Sequence, residues 1–99
     1  MKIKGDWERR DVWVDGKYLS PEMSQNIRNH SPDGHCWSYS GSGPSQLALS
    51  ILLYHFPEKT AVRWYQDFKH DVIASLPAGD FEIDVDLDKW LEEKTKGEK

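Results

Sequence analysis

The sequence predicts a single α+β domain in which a small antiparallel sheet packs on a buried helix, with two further helices around it. Three observations support this fold class. Apolar and polar residues alternate near both ends of the chain, which predicts strands. A nearly all-apolar stretch at residues 44–56 predicts a helix buried on several sides. Apolar residues at three- and four-residue spacings then predict amphipathic helices, and 99 residues are typical of one domain.

The N-terminal part predicts most of the sheet. Residues 3–7 alternate as a half-buried strand does, and Asp15-Gly16 separates two β-rich runs. A type I′ turn needs a positive φ at both central residues, so this pair predicts a hairpin. Residues 20–35 are polar and predict a connecting segment. Residues 35–39 predict a short strand with Trp37 and Tyr39 on one face.

The buried helix is entered through Gly41-Ser42-Gly43-Pro44. Pro44 suits the first helical position because its missing N–H costs nothing there. Gly43 would then be the N-cap, and Gln46 would bond back toward that cap. Pro57 ends the helix.

The second half of the chain predicts two helices and a strand between them. An amphipathic helix covers 59–76 and stops at Pro77. Residues 80–84 alternate as an edge strand, charged against edge-to-edge pairing. Asp84 or Asp86 caps a short C-terminal helix at 86–95, and residues 95–99 form a frayed tail.

Charge and cysteine content narrow the class of protein. The lone Cys36 excludes an internal disulfide, and the N-terminus has no apolar signal region, so a cytoplasmic location is expected. The whole acidic excess falls in residues 80–99. No basic stripe is present, so nucleic-acid binding is not expected. No apolar run approaches about 18 residues, so membrane insertion is not expected either.

One stretch resembles a family of small uncharacterised domains found in prokaryotes and in some of their phages and plasmids. The resemblance depends on Asn29-His30-Ser31-Pro32-Asp33-Gly34 and on the later Trp37-Ser38-Tyr39 and Gly41-Ser42-Gly43-Pro44-Ser45-Gln46-Leu47-Ala48-Leu49. It implies an association with mobile elements. It implies no catalytic role, because that family has no established activity.

The helix entry is a candidate site for a small ligand or an anion. Free N–H groups at a helix start attract anions, and four residues around this entry are polar: Asn29, His30, Ser42 and Gln46. The lysine of a phosphate loop is missing, however, and Gln46 replaces the third glycine of a dinucleotide fingerprint. A structural turn is therefore the favoured interpretation, and a domain that binds a small ligand or an anion, or an enzyme, is the alternative.

Metal binding and catalysis have weaker support. His30, His35 and Cys36 match no known ligand spacing, so we expect neither a metal nor another cofactor. Nothing in the sequence fixes a base and an orienting group around Cys36, so we expect no enzyme.

The aromatic residues favour binding to another protein. Five tryptophans are too many for a core of this size to enclose completely. Trp13 and Trp64 lie off the apolar faces of their elements and are candidate interface residues. Trp37 and Tyr39 join the candidate binding surface beside residues 29–34. The sequence therefore predicts a non-catalytic interaction module, such as a phage- or plasmid-type modulator of a host protein. A homodimer would use the same surface.

Overall fold

The structure, a computed structural model, describes residues 1–96. Its four-stranded sheet has the order β3-β2-β1-β4, and all neighbouring strands are antiparallel. The strands are β1 (Lys2–Asp6), β2 (Asp11–Val14), β3 (Lys17–Tyr18) and β4 (Phe81–Asp84). Residues from opposite ends of the described chain meet in this sheet, since β1 pairs with β4. The predicted α+β class is confirmed.

The predicted hairpin around Asp15-Gly16 is confirmed. Asp15 has a φ of 49° and Gly16 a φ of 82°, as a type I′ turn requires. The Asp15 carboxylate also accepts a hydrogen bond from the Lys2 amide at 2.8 Å, which fixes the turn to the neighbouring strand.

The central helix, α2 (Ser42–His55), begins two residues before its predicted start. Gly41 is the N-cap in extended conformation, and Gly43 lies inside the first turn. A Cβ on Gly43 would stand 2.5 Å from the Cβ of Cys36, so only glycine allows this approach. Every residue from Gly43 to Leu52 is buried, as the all-apolar pattern predicts. The predicted cap bond of Gln46 is absent, because its side chain points to another segment.

The amphipathic helix is shorter than predicted. α3 (Glu58–Phe68) continues into one wide π turn (Lys69–Ile73), in which the Ala74 amide bonds the Lys69 carbonyl at 2.9 Å. The predicted apolar face is buried in both parts of this segment. Its buried members are Ala61, Tyr65, Phe68, Ile73 and, just after the π turn, Leu76, whereas Val62 and Val72 are half-buried.

Residues 20–40 differ most from the prediction. A six-residue helix, α1 (Glu22–Ile27), lies within the supposed connecting segment. The predicted strand at 35–39 is wrong, because the backbone groups there bond to helix ends. The Cys36 amide donates to the Gly43 carbonyl, and the Ser38 amide, at a residue with φ of 83°, donates to the Ile73 carbonyl. Trp37 is therefore buried and Tyr39 exposed, so the two do not share a face.

The end of the described chain follows the sequence closely. β4 is an edge strand, and α4 (Leu87–Lys96) follows it. The Asp86 carboxylate accepts a hydrogen bond from the Lys89 amide at 3.0 Å, which is the geometry of an N-cap. Residues 95 and 96 of the predicted tail close α4, and residues 97–99 lie outside the described part.

The core lies between one face of the sheet and the helices. Ile3, Val12 and Val14 face it and are fully buried. The opposite face carries a row of cross-strand neighbours, Tyr18, Trp13, Lys4 and Glu82. Among residues 1–96, none of the helices has both the length and the apolar character needed to span a membrane.

Candidate functional site

Gln46 is the centre of a buried polar network. Its side chain is fully buried, and both of its N–H donors and both lone pairs of its carbonyl oxygen have hydrogen-bond partners. The carbonyl oxygen accepts from the amides of His30 (2.8 Å) and Ser31 (3.0 Å). The amide nitrogen donates to the Ser24 hydroxyl (2.8 Å) and the Arg28 carbonyl (3.0 Å). Gln46 thus ties α1 and the following turn to α2, which explains its place in the motif.

A chain of hydroxyl groups extends this network to His35. Ser24 Oγ donates to the Pro21 carbonyl at 2.8 Å, which uses its only proton. The 2.7 Å contact between Ser50 Oγ and Ser24 Oγ therefore uses the proton of Ser50. The remaining contact, His35 Nε2 to Ser50 Oγ at 2.7 Å, must then use a proton on His35. Every donation runs from His35 toward Pro21.

The direction of these hydrogen bonds determines whether His35 can act as a base toward Ser50. A base that activates a serine must accept the proton of its hydroxyl, whereas His35 donates to Ser50. Burial lowers the pKa of His35 to about 4, so the ring is neutral at physiological pH. The Ser50–His35 pair is therefore a structural contact that holds the 35–38 segment on α2.

His30 lies where the turn meets α3. Its backbone is held by Gln46, while Nε2 lies 2.6 Å from the Tyr65 hydroxyl and the two rings are 5.5 Å apart. Burial first, and then the positive charges of Arg28 and Lys69, lower the pKa of His30. The preceding Asn29 is exposed, as is Ser42 at the start of α2. Of the predicted binding residues, Gln46 and His30 are thus in direct contact.

Cys36 and Tyr39 lie together on another side of the α2 entry. Arg10 Nε is 3.4 Å from Cys36 Sγ, and its guanidinium covers the Trp7 ring at 3.6 Å. Burial, together with Cys36, raises the pKa of Tyr39. The described hydrogen-bond partners of Cys36 Sγ are Arg10 and the Trp37 carbonyl, with no histidine among them.

The tryptophans differ in their surroundings. Trp37 is fully buried between Trp7 and Phe81, and its indole N–H donates to the Gly79 carbonyl at 2.9 Å, so it is a core residue. Trp13 is half-buried on the open face of the sheet, 6.3 Å from the exposed Tyr18 ring. Trp64 is also half-buried. The Arg63 guanidinium lies 5.2 Å from its ring centre.

The structure shows an apolar groove that the sequence analysis missed. It has a volume of about 450 Å³ and lies between the end of β3, α1 and α2. Its lining includes Leu19, Met23, Leu53 and Tyr54. Met23 is 63% exposed and Tyr54 46% exposed. Met23 lies in a segment that is otherwise polar, and Tyr54 lies in a helix that is apolar on all sides. No sequence pattern therefore identified either residue as exposed.

The histidines and acids of the described chain do not gather into a metal centre. No group of three His, Cys, Asp or Glu side chains within residues 1–96 is placed to hold a metal ion. His30 and His35 have Tyr65 and Ser50 as ring partners, and His55 bonds Asp88 at 2.9 Å on the surface.

Fold and site together define a small α+β domain in which a buried glutamine network positions a short helix and a turn. The chain belongs to a family of unknown function, DUF6166, whose family model matches residues 4–93. This confirms the resemblance to a family of uncharacterised domains. Neither the curated proteins nor the solved structures include a match to this chain.

Proposed function

We propose that this protein is a non-catalytic protein-binding module whose α1–α2 groove receives apolar side chains of a partner. One observation carries the proposal: two exposed residues of the groove, Met23 and Tyr54, are large and apolar and flank a cavity of about 450 Å³. Large exposed apolar side chains that cluster around a concave surface are a feature of protein-binding sites.

The way α1 is held supports this proposal. A six-residue helix is unstable by itself, but Ser24 of α1 is buried and bonded to both Gln46 and Ser50. The groove wall is therefore fixed before a partner arrives, which lowers the entropic cost of binding. Methionine at its edge adapts to the shape of the incoming side chain.

The groove chemistry also suggests the kind of partner. A cleft between two helices suits the apolar face of an amphipathic helix. The polar lining residues are Ser20, Glu22, Ser24 and Ser50, and Glu22 is the one charged side chain among these described residues. The partner segment we infer is an amphipathic helix with one or two bulky apolar anchors and a lysine or arginine facing Glu22.

The groove is lined in part by residues 20–24, which belong to the segment 20–35 expected to border an aromatic interaction surface. Trp13 and Trp64 are less suited to anchor a partner, because both are half-buried. A cytoplasmic location and a role as a phage- or plasmid-type modulator of a host protein are further parts of this proposal. They are supported by the lone free Cys36 and by the resemblance described above.

Site-specific photocrosslinking in cells tests the groove. A photoreactive phenylalanine analogue at Met23 should trap one partner, whereas the same group at Tyr39 should not. The trapped protein is then purified and its direct binding measured. Met23→Ser and Tyr54→Ser should each weaken that binding about tenfold or more, equivalent to ~1.4 kcal/mol.

Tyr39→Ser is the matched control, because Tyr39 is 50% exposed but lies outside the groove. It should leave the affinity unchanged. Equal weakening by all three substitutions would overturn the proposal. Crosslinking only to a second copy of this chain, with a dimer that Met23→Ser dissociates in sedimentation, would overturn the assignment to a different protein.

A further inference from the structure

A second surface, separate from the apolar groove, lies where the turn after α1 meets α3 and the π turn. Here His30 Nε2 contacts the Tyr65 hydroxyl at 2.6 Å. Lys69 is one turn beyond Tyr65, and side chains four residues apart share one face of a helix. Arg28 is two residues before His30 in the turn that Gln46 holds. His30 and Tyr65 are thus in direct contact, and the positive charges of Arg28 and Lys69 act on the same His30 ring.

Lys69 is the residue at this place that the fold does not explain. Its side chain is buried, with 9% of the residue exposed, yet its ammonium has no hydrogen-bond or ion-pair partner among residues 1–96. All fully enclosed side-chain nitrogen and oxygen atoms of the described, non-exposed residues have a partner. The Lys69 ammonium must therefore reach the surface while its hydrocarbon stem is buried.

Four other lysines of the described chain, Lys2, Lys4, Lys94 and Lys96, have acidic partners, and the three that have none, Lys17, Lys59 and Lys89, are exposed, whereas Lys69 is buried. Lys94 bonds Asp71 at 2.8 Å, and Lys2 and Lys4 both approach Glu82. Neither Lys69 nor Arg28 has such a partner within residues 1–96. After burial, the positive charges of Arg28 and Lys69 both lower the pKa of His30. The surface is positive on a protein of net charge −4.

We propose that Arg28, His30, Tyr65 and Lys69 form a binding site for a phosphate group, either free or as a monoester. The two fixed cations balance the two negative charges of the phosphate dianion. The planar guanidinium of Arg28 supplies paired donors to two oxygens, and Lys69 supplies a point charge. The Tyr65 hydroxyl, 2.6 Å from His30 Nε2, donates its proton to a phosphate oxygen. The site lies beside the turn and on α3, rather than at the helix entry with its glycines.

The site is tested by titrating the intact protein with inorganic phosphate while amide NMR spectra are recorded at constant ionic strength. Saturable shifts should appear at His30, Ser31 and residues 65–70, with a Kd of about 1 mM or tighter. Phenyl phosphate in a second titration distinguishes a monoester from the free ion: tighter binding identifies the monoester. Chloride should produce no saturable shift.

Variants separate this site from general surface charge. Lys69→Met keeps the buried stem and removes the ammonium, so it should weaken phosphate binding at least tenfold. Arg28→Gln should do the same. Lys94→Met removes a lysine of α4 that Asp71 already neutralises, and it should leave the affinity unchanged. Well-dispersed spectra outside the site show that each variant is folded.

The His30 ring gives a readout that a purely structural role would not change. Bound phosphate should raise the pKa of His30, because the anion favours the charged imidazolium. Lys69→Met should also raise that pKa without phosphate, since it removes a nearby positive charge. Absence of saturable shifts, an equal response to chloride, or unchanged affinity in both Lys69→Met and Arg28→Gln would overturn the proposal. An equal response to acetate would overturn the assignment to phosphate.

Discussion

Two polar clusters meet at the turn of residues 28–31, and they differ in how completely their groups are paired. On the inner side, Gln46 makes four hydrogen bonds and passes the network to Ser24. On the outer side, Lys69 and Arg28 have no acidic partner among residues 1–96. The inner cluster is buried and closed, whereas the outer cluster presents unpaired positive charge at the surface.

This difference separates structural polar groups from groups available for binding. A buried polar network stabilises a fold only when each member is satisfied. The Gln46 network meets that condition and fixes the turn in place. The same turn also carries His30 and Arg28 near Lys69. An anionic ligand can pair there with the positive charges of Arg28 and Lys69. Gln46 can thus support the proposed site by holding the turn in place, without contacting the ligand.

The largest expected effect comes from breaking the inner cluster with Gln46→Leu. The change leaves the His30 and Ser31 amides and the Arg28 carbonyl without their partner. Unsatisfied buried groups cost about 1–3 kcal/mol each, so the free energy of unfolding should fall by roughly 3 kcal/mol or more. Urea denaturation measures this change.

Gln66→Leu is the control for that substitution. Gln66 is half-buried on α3, and its side chain has one long contact, 3.4 Å to Ser45. It should cost less than about 1 kcal/mol. Similar losses in the two variants would contradict the special role assigned to Gln46.

The next effect concerns pH and His35. Its pKa falls from 6.5 in the unfolded chain to about 4 in the folded protein. The unfolded state therefore binds more protons between these values, so stability decreases as the pH falls from 6.5 to 4. The shift corresponds to about 3 kcal/mol lost across that window. Denaturation at a series of pH values, compared with His35→Gln, should show most of this loss removed by the substitution.

His70→Gln provides the comparison for the His35 experiment, because His70 is exposed. It should keep the pH dependence of the natural protein. His30, whose pKa is also lowered, contributes loss of the same sign. If the His35→Gln variant retained the full pH dependence of stability, the assignment of a buried, neutral His35 as its source would be wrong.

A smaller effect is expected where the α2 entry packs on the 35–38 segment. In Gly43→Ala the new methyl group would stand 2.5 Å from the Cβ of Cys36 and 3.3 Å from its backbone nitrogen. Such overpacking costs about 1–3 kcal/mol, measurable as a lower midpoint of thermal unfolding. Gly79→Ala, with no atom within 4 Å of the new group, should leave the midpoint nearly unchanged. A neutral Gly43→Ala would show that this contact relaxes easily.

The smallest effect on stability is expected in the outer cluster. Lys69→Met keeps the buried stem and removes an ammonium that makes no described bond, so the free energy of unfolding should change by less than about 1 kcal/mol. Denaturant unfolding checks this. A loss as large as that of Gln46→Leu would mean that Lys69 belongs to the fold and would remove the contrast between the clusters.

Much of the architecture is predictable from local sequence patterns. Asp15-Gly16 specifies the hairpin because few residue pairs adopt two consecutive positive φ angles. The apolar stretch around Leu47–Leu52 predicts a central buried helix because no polar face is available for solvent. Asp86 before an apolar helical pattern predicts the cap of α4. Each of these signals acts over a few residues.

The candidate site is less predictable, because its contacts join distant residues. His30 and Gln46 were identified from the motif, but Gln46 was expected to cap its own helix. Tyr65 and Lys69 looked like ordinary members of an amphipathic helix. Their meeting with His30 depends on how α3 packs beside the turn.

By itself, the sequence determined the hairpin, the central helix, the edge strand and the capped last helix, since propensity and apolar periodicity act locally. The conformation of residues 20–40 was decided only by the tertiary structure. A short helix such as α1 needs hydrogen bonds from Gln46 and Ser50 to persist. The 35–39 segment has its backbone partners on Gly43 and Ile73 instead of on a strand. Long-range contacts also decided which charged side chains have a partner of opposite charge and which, such as Lys69, have none among residues 1–96.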